Sequence, residues 1–242
     1  MKDAAKSGYI TTVDPATEQP LKDYPIMERE EALAAVERCH EAFLRWRETS
    51  KESRAEIISK IGATLRGRAD DFASLMTDET GKRLEDGHTE IELCAAICDW
   101  TAEQGPEELA DEVREVANGE RGVITYQPQG VIYGIQPWNF PAYQAVRYAI
   151  ANLMAGNGVL LKHASNCTGS GLFLRDVFEA AGLPDHLFTV LVIDHDTSDE
   201  IIKNHRVRGV TLTGSAASGA KVAAIAGSAI KKTVLELGSN DA

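Results

Sequence analysis

From Gly130 to Leu237 the chain alternates short apolar runs with helix-forming stretches. No other feature constrains its fold as much. The runs are GVIYGI (130–135), GVLLK (158–162), Phe188–Ile193, Gly209–Thr213 and Thr233–Leu237. Helices are expected from just after Pro141 to about Ala155, and over Leu172–Ala181, Ser198–Asn204 and Ser218–Ala226. Strands that are apolar on both faces and joined by helices form a parallel sheet covered on both sides. Right-handed crossovers then make a doubly wound α/β domain with a five-stranded parallel sheet. Ligands of such sheets lie at the carboxyl ends of the strands. The segments to search are therefore Gln136–Pro141, Lys162–Ser165, Gly214–Gly219 and Glu236–Gly238.

The first half reads differently. Residues 28–104 carry helical periodicity almost throughout, with Leu33, Val36, Phe43 and Leu44 on a first helix and Ile57, Ile58, Ile61 and Leu65 on a second. Ser50 or Ser53 is placed to cap the second. A third helix through Phe72, Leu75 and Met76 stops near Gly81, and a fourth is expected to end at Gly105-Pro106. Tyr9–Tyr24 reads as extended chain. In 107–128, Asn118-Gly119 between Val/Ile-rich flanks signals a hairpin. An exposed two-stranded ribbon is marginal alone, so this arm is expected to pair with something else.

Composition removes several classes of function. Twenty-five basic against 37 acidic residues leave a net charge of −12. This opposes nucleic-acid binding and attachment to an anionic membrane. No apolar run approaches the roughly 20 residues that span a bilayer, and the N-terminus has no signal-peptide core. Cys39, Cys94, Cys98 and Cys167 form neither a disulfide framework nor a metal pattern. The expectation is a cytoplasmic protein with reduced thiols and no metal.

Four ligand-edge motifs can carry chemistry. The fingerprint GxGxxG is absent. Gly214-Ser-Ala-Ala-Ser-Gly219 follows a strand and opens a helix, which suits a phosphate. It nearly matches a P-loop, but Lys221 comes one residue late and no hydroxyl follows it. Lys162 can reach ribose hydroxyls or a phosphate. Ser165 is uncharged and tolerates a 2′-phosphate, which leans the cofactor toward NADP. In Pro137-Trp-Asn-Phe-Pro141, two prolines restrain Asn139, whose amide can donate to a developing oxyanion. Glu236 ends the last strand and is a candidate general base for water. Each also has a purely structural reading: a Gly-Ser turn, a solvated lysine, a proline-rich turn, a solvated carboxylate.

PWNFP at 137–141, AGN at 155–157, LLKHAS at 160–165, AGLP at 181–184, VTLTGS at 210–215 and LELG at 235–238 occur in order. With DPATE (14–18) and ETGK (79–82), they resemble the aldehyde dehydrogenase superfamily. KHASN and the helical start are similar to its succinate-semialdehyde dehydrogenase branch. The resemblance covers nearly the whole chain. It implies a helical part of the cofactor domain over 1–106, an oligomerisation arm over 107–128, a Rossmann-like NAD(P)-binding core over 129–238 and the start of a catalytic domain over 239–242.

By the same resemblance, Asn139 is the oxyanion amide and Glu236 the base that activates water for thioester hydrolysis. Lys162 and Ser165 meet the adenosine ribose or its phosphate. Gly214 and Ser215 hold the pyrophosphate, while Ser218 and Gly219 shape the helix start. Ile135, Pro137, Trp138 and Leu237 line the cofactor cleft. Arg147 pairs with the carboxylate of an aldehyde such as succinate semialdehyde. Leu212 stands where the family usually has Phe, and Ser239 where it has a second Gly. No cysteine here sits in the context of the family's nucleophile. The chain alone is thus expected to be inactive, and to self-associate through the arm and the surface a further domain would cover. A non-catalytic nucleotide-binding module and one half of a split enzyme are the alternatives.

Overall fold

The structure, a computed structural model, describes residues 8–238. Positions 239–242, expected to begin a further domain, lie outside them, Ser239 included.

The chain opens with an antiparallel hairpin, β1 (Tyr9–Val13) and β2 (Pro20–Pro25). Four helices follow: α1 (Arg29–Trp46), α2 (Lys51–Gly67), α3 (Ala69–Thr80) and α4 (Leu84–Glu108). Ser50 caps α2, its hydroxyl accepting the Ser53 N–H. Cys94 and Cys98 are fully buried on α4 among Ile58, Ile61 and other core residues. The arm is β3 (Glu112–Glu115) against β4 (Arg121–Ile124), with Asn118 and Gly119 reversing the chain at φ 66° and 76°.

The remainder is the expected parallel sheet. Its strands are β5 (Val131–Gln136), β6 (Gly158–His163), β7 (Phe188–Val190), β8 (Val207–Gly214) and β9 (Lys232–Leu237), in spatial order β7-β6-β5-β8-β9. The connecting helices are α5 (Tyr143–Met154), α6 (Thr168–Ala180), α7 (His195–Lys203) and α8 (Ala216–Ser228). Helices α5 and α6 pack on the sheet and on α2; α3 also packs on α6 and α4 on α5, while α1, α7 and α8 pack on the sheet and on one another. The strand order reverses between β5 and β8, where a doubly wound sheet opens a ligand crevice.

Several boundaries differ from expectation. Helix α4 continues through Gly105-Pro106 to Glu108. Proline so near a helix end removes only one late hydrogen bond. Gly105 lets α4 close on α5, since a Cβ there would lie 2.6 Å from Met154 Cγ. The arm therefore starts after 108, not 106. Strand β7 stops at Val190 because the Val192 carbonyl accepts the Met27 N–H instead (2.8 Å). Helices α6, α7 and α8 start two to four residues early; Asp194 and Ser215 cap the last two.

Candidate functional site

The ligand edge of the sheet carries the starts of α5, α6, α7 and α8. Each start exposes unpaired N–H groups and a positive dipole end. Three are already met by carboxylates. Glu90 of α4 accepts the N–H groups of Ala142 and Tyr143 at the start of α5 (2.8 and 2.9 Å). Glu79 of α3 accepts those of Gly169 and Ser170 in α6, both at 2.8 Å, and the Ser170 hydroxyl. Asp194 accepts the Thr197 N–H in α7. The start of α8 is closed by a neutral group: Ser215 Oγ accepts the Ser218 N–H at 3.2 Å, and the first turn holds no acid. Among the described residues this is the sheet-edge helix start best suited to an anion.

Gly219 is buried in the first turn of α8. A Cβ there would lie 2.5 Å from Leu237 Cδ2, so the missing side chain brings α8 onto β9. Leu237 is 37% exposed and packs on that glycine rather than only lining a cleft. The near-P-loop Lys221 does not turn toward the helix start. It pairs with Asp199 of α7 (2.7 Å), which takes away the cation a P-loop needs.

The other expected residues fall into two groups. Ile135 and Lys162 are register partners on β5 and β6, so they share one face of the sheet. With Trp138, Ser165, Glu79 and His195 they line a cleft of about 600 Å³. Lys162 is only 8% exposed, so the solvated-lysine reading does not hold. Ser165 opens a short 3-10 turn before α6. Glu236 lies on the other face, beside its register partner Thr213. There it pairs with Arg147 of α5, which also donates to Gln144 Oε1 (3.0 Å). Arg147, expected to face a substrate carboxylate, is engaged by the candidate base instead. Asn139, Trp138 and Phe140 are exposed between the half-buried Pro137 and the buried Pro141.

Several residues that hold these loops were not singled out from the sequence. The ring of His163 is buried, its Nδ1 accepting the Ala164 N–H (3.0 Å). Its Nε2–H therefore donates to the Pro141 carbonyl (2.8 Å). Lys82 pairs with buried Glu90 (2.5 Å). The two charged residues of ETGK thus act on different helices, Glu79 on α6 and Lys82, through Glu90, on α5. Asn157 of AGN accepts from the N–H groups of Gln129 and Gly130 and ties the entry of β5 to that of β6.

Residues 2–242 match the aldehyde dehydrogenase family. The chain belongs to that family. It is 40% identical over 233 residues to succinate semialdehyde dehydrogenase [NAD(P)+] of Escherichia coli K12, covering 96% of this chain and 50% of the relative. It is 41% identical to succinate-semialdehyde dehydrogenase [NADP(+)] of Deinococcus radiodurans, covering 96% and 48%. It superposes on the solved succinic semialdehyde dehydrogenase of Streptococcus pyogenes in complex with NADP+ with a TM-score of 0.93, at 34% identity, over 96% of this chain and 51% of that one. The chain spans about half the length of these relatives.

This aldehyde dehydrogenase chain offers no reactive thiol. All four cysteines are buried. Burial pushes Cys39 and Cys98 up to about 12, and Cys94 and Cys167 well above the ordinary thiol value. A nucleophilic cysteine needs the opposite shift. Among the described residues no cluster of His, Cys, Asp or Glu can hold a metal. None of their helices is long and apolar enough to cross a membrane.

Burial also pulls His163 down from 6.5 to about 4. Between those values the unfolded chain takes up a proton that the folded chain refuses. Stability therefore falls as pH drops from 6.5 through 4, by up to about 3 kcal/mol. Burial raises Glu79 above its ordinary value, and that carboxyl acts with the opposite sign. The histidine's share is the difference between the wild type and His163→Gln. Melting both at pH 7 and pH 5 is expected to show a steeper loss for the wild type; parallel losses would reject a neutral buried imidazole.

Proposed function

We propose that the chain is the cofactor-binding part of an NAD(P)-dependent aldehyde dehydrogenase whose substrate is succinate semialdehyde or a similar carboxylated aldehyde. The observation that carries this is the set of helix starts. Three present a carboxylate, and α8 presents a neutral serine. A dinucleotide's negative charge is thereby directed to Gly214 and Ser215, with Ser218 and Gly219 shaping the turn. The residues fit such a group. Lys162 and Ser165 would hold its adenosine ribose or 2′-phosphate, and Ile135, Pro137, Trp138 and Leu237 would flank it. Uncharged Ser165 favours NADP over NAD.

The dinucleotide, when bound, would supply the hydride acceptor for the oxidation. Asn139 would donate its side-chain N–H to the carbonyl oxygen as negative charge develops there. Glu236 would take a proton from water. In the resting arrangement Arg147 holds that carboxylate in place. A guanidinium there also suits the distal carboxylate of the substrate, so Arg147 would be shared between the two. The family's covalent step needs a thiolate, and none of the four thiols here is placed or ionised for it.

The oligomerisation reading of the arm rests on Val113, Val116, Val123, Ile124 and Tyr126, each 45% exposed or more. These apolar side chains on a two-stranded ribbon favour pairing with a second copy.

One sample tests the proposal. Calorimetric titration of the 242-residue chain is expected to show binding of NADP+ and NAD+ but not of magnesium-ATP. No succinate semialdehyde should be oxidised, and light scattering should read a dimer or larger species. Failure to bind either dinucleotide would reject the cofactor site. Turnover by this chain would reject the account of its thiols, and a monomer that of the arm.

A further inference from the structure

Asn139 is exposed, and contacts from elsewhere in the fold hold the residues that follow it. Glu90, 2% exposed, accepts the N–H groups of Ala142 and Tyr143 through Oε1. Its Oε2 takes the Lys82 ammonium at 2.5 Å. That same ammonium lies 4.0 Å from the centroid of the Phe140 ring. The Pro141 carbonyl is taken by His163. Each of residues 140–143 is therefore held from another part of the chain.

This arrangement is not what a helix start requires. A helix is ordinarily capped by the residue that precedes it. Here that residue is Ala142, which has no capping group. Helix α5 borrows its cap from α4, 52 residues earlier. A buried carboxylate is tolerated only where its oxygens are bonded and its charge is met. Lys82 meets the charge and places its own cation on the ring next to Asn139. The position of the amide is thus tied to the N-terminal helices, not only to its loop.

We propose that the Lys82–Glu90 pair is the positioning device for Asn139, holding residues 140–143 against α4 so that the amide keeps one place at the end of β5. It rests on the reading of Asn139 as the oxyanion donor. Neither Lys82 nor Glu90 reaches the reacting atoms; both are positioning residues.

Nuclear magnetic resonance on the 15N-labelled chain tests this. In Glu90→Leu, the amides of Ala142 and Tyr143 should exchange with solvent about tenfold faster. The side-chain NH2 of Asn139 should become more mobile, while the amides of Ile58 and Ile61 in α2 keep their rates. Glu90→Gln retains an acceptor and should recover most of the protection. Lys82→Met should loosen the Asn139 amide with the acceptor still present. If Glu90→Leu does not fold, Glu90→Gln and Lys82→Met carry the test. An Asn139 amide as rigid in Glu90→Leu and Lys82→Met as in the wild type would overturn the proposal, leaving a helix cap only. So would a loosening spread evenly over α2, which marks general core support. These readouts involve neither cofactor nor turnover. Failure of dinucleotide binding would reject the functional reading without touching them.

Discussion

Replacing Ser215 by aspartate is expected to weaken NADP+ binding about 100-fold while leaving the fold intact. Aspartate caps a helix as well as serine does, so the bond to the Ser218 N–H is kept. What changes is the charge. A carboxylate some 5 Å from a bound phosphate costs about 3 kcal/mol at the effective dielectric of a protein surface. The substitution also gives α8 the character that Glu90, Glu79 and Asp194 already give α5, α6 and α7. Ser215→Asn is the neutral control and should bind nearly as the wild type does. Calorimetry at low and high salt should show the loss shrinking as the exposed charges are screened. Equal affinity in S215D and wild type would remove α8 from the binding site.

Glu79→Leu is expected to destabilise the chain by about 3 kcal/mol, a fall in Tm of roughly 10 °C for a chain of this size. Leucine strands the buried N–H groups of Gly169 and Ser170 and the Ser170 hydroxyl. Hydrogen bonds to a charged acceptor are the strong ones, and buried donors left unmet cost more than the bond contributes. Desolvation of the carboxylate, which raises its pKa, offsets part of this gain and limits the net figure. Glu79→Gln keeps one of the two acceptor oxygens but sets an NH2 against the other backbone N–H, so it should lose an intermediate roughly 2 kcal/mol. Chemical denaturation of the three proteins measures the order. A Leu variant as stable as the wild type would show that α6 does not depend on its borrowed cap.

Both results turn on contacts of different legibility. Ser215 and the bond it makes lie within four residues of each other, and the strand–Gly-Ser–helix pattern announces them. Glu79 and its partner Gly169 are 90 residues apart, and Glu90 and Ala142 are 52 apart. No local pattern distinguishes these glutamates from the solvated acids around them. ETGK marks Glu79 and Lys82 as a motif but not what they hold. His163 stands within KHAS, yet its partner Pro141 belongs to another loop. Arg147 and Glu236 were each visible as candidates; their pairing was not, because it joins α5 to β9.

The sequence by itself determined the parallel strands: β5 to β8 are largely buried on both faces and so read as apolar runs, while β9, exposed along much of its length, showed as the Val/Leu run after the last helix. It determined the Asn118-Gly119 reversal, since few residues accept a left-handed backbone. It also placed the ligand-bearing segments at the strand ends, since sheet and crossover geometry leave the crevice there. Tertiary structure decided which helix starts remain suited to an anion and which are met by acids from the N-terminal helices. It decided how closely α4 packs on α5, through Gly105 against Met154, and where β7 stops, through Met27 on Val192. The physical reason is common to these cases: a buried charge or backbone group takes whichever partner the folded chain brings within about 3 Å, and proximity in space is not written in spacing along the chain.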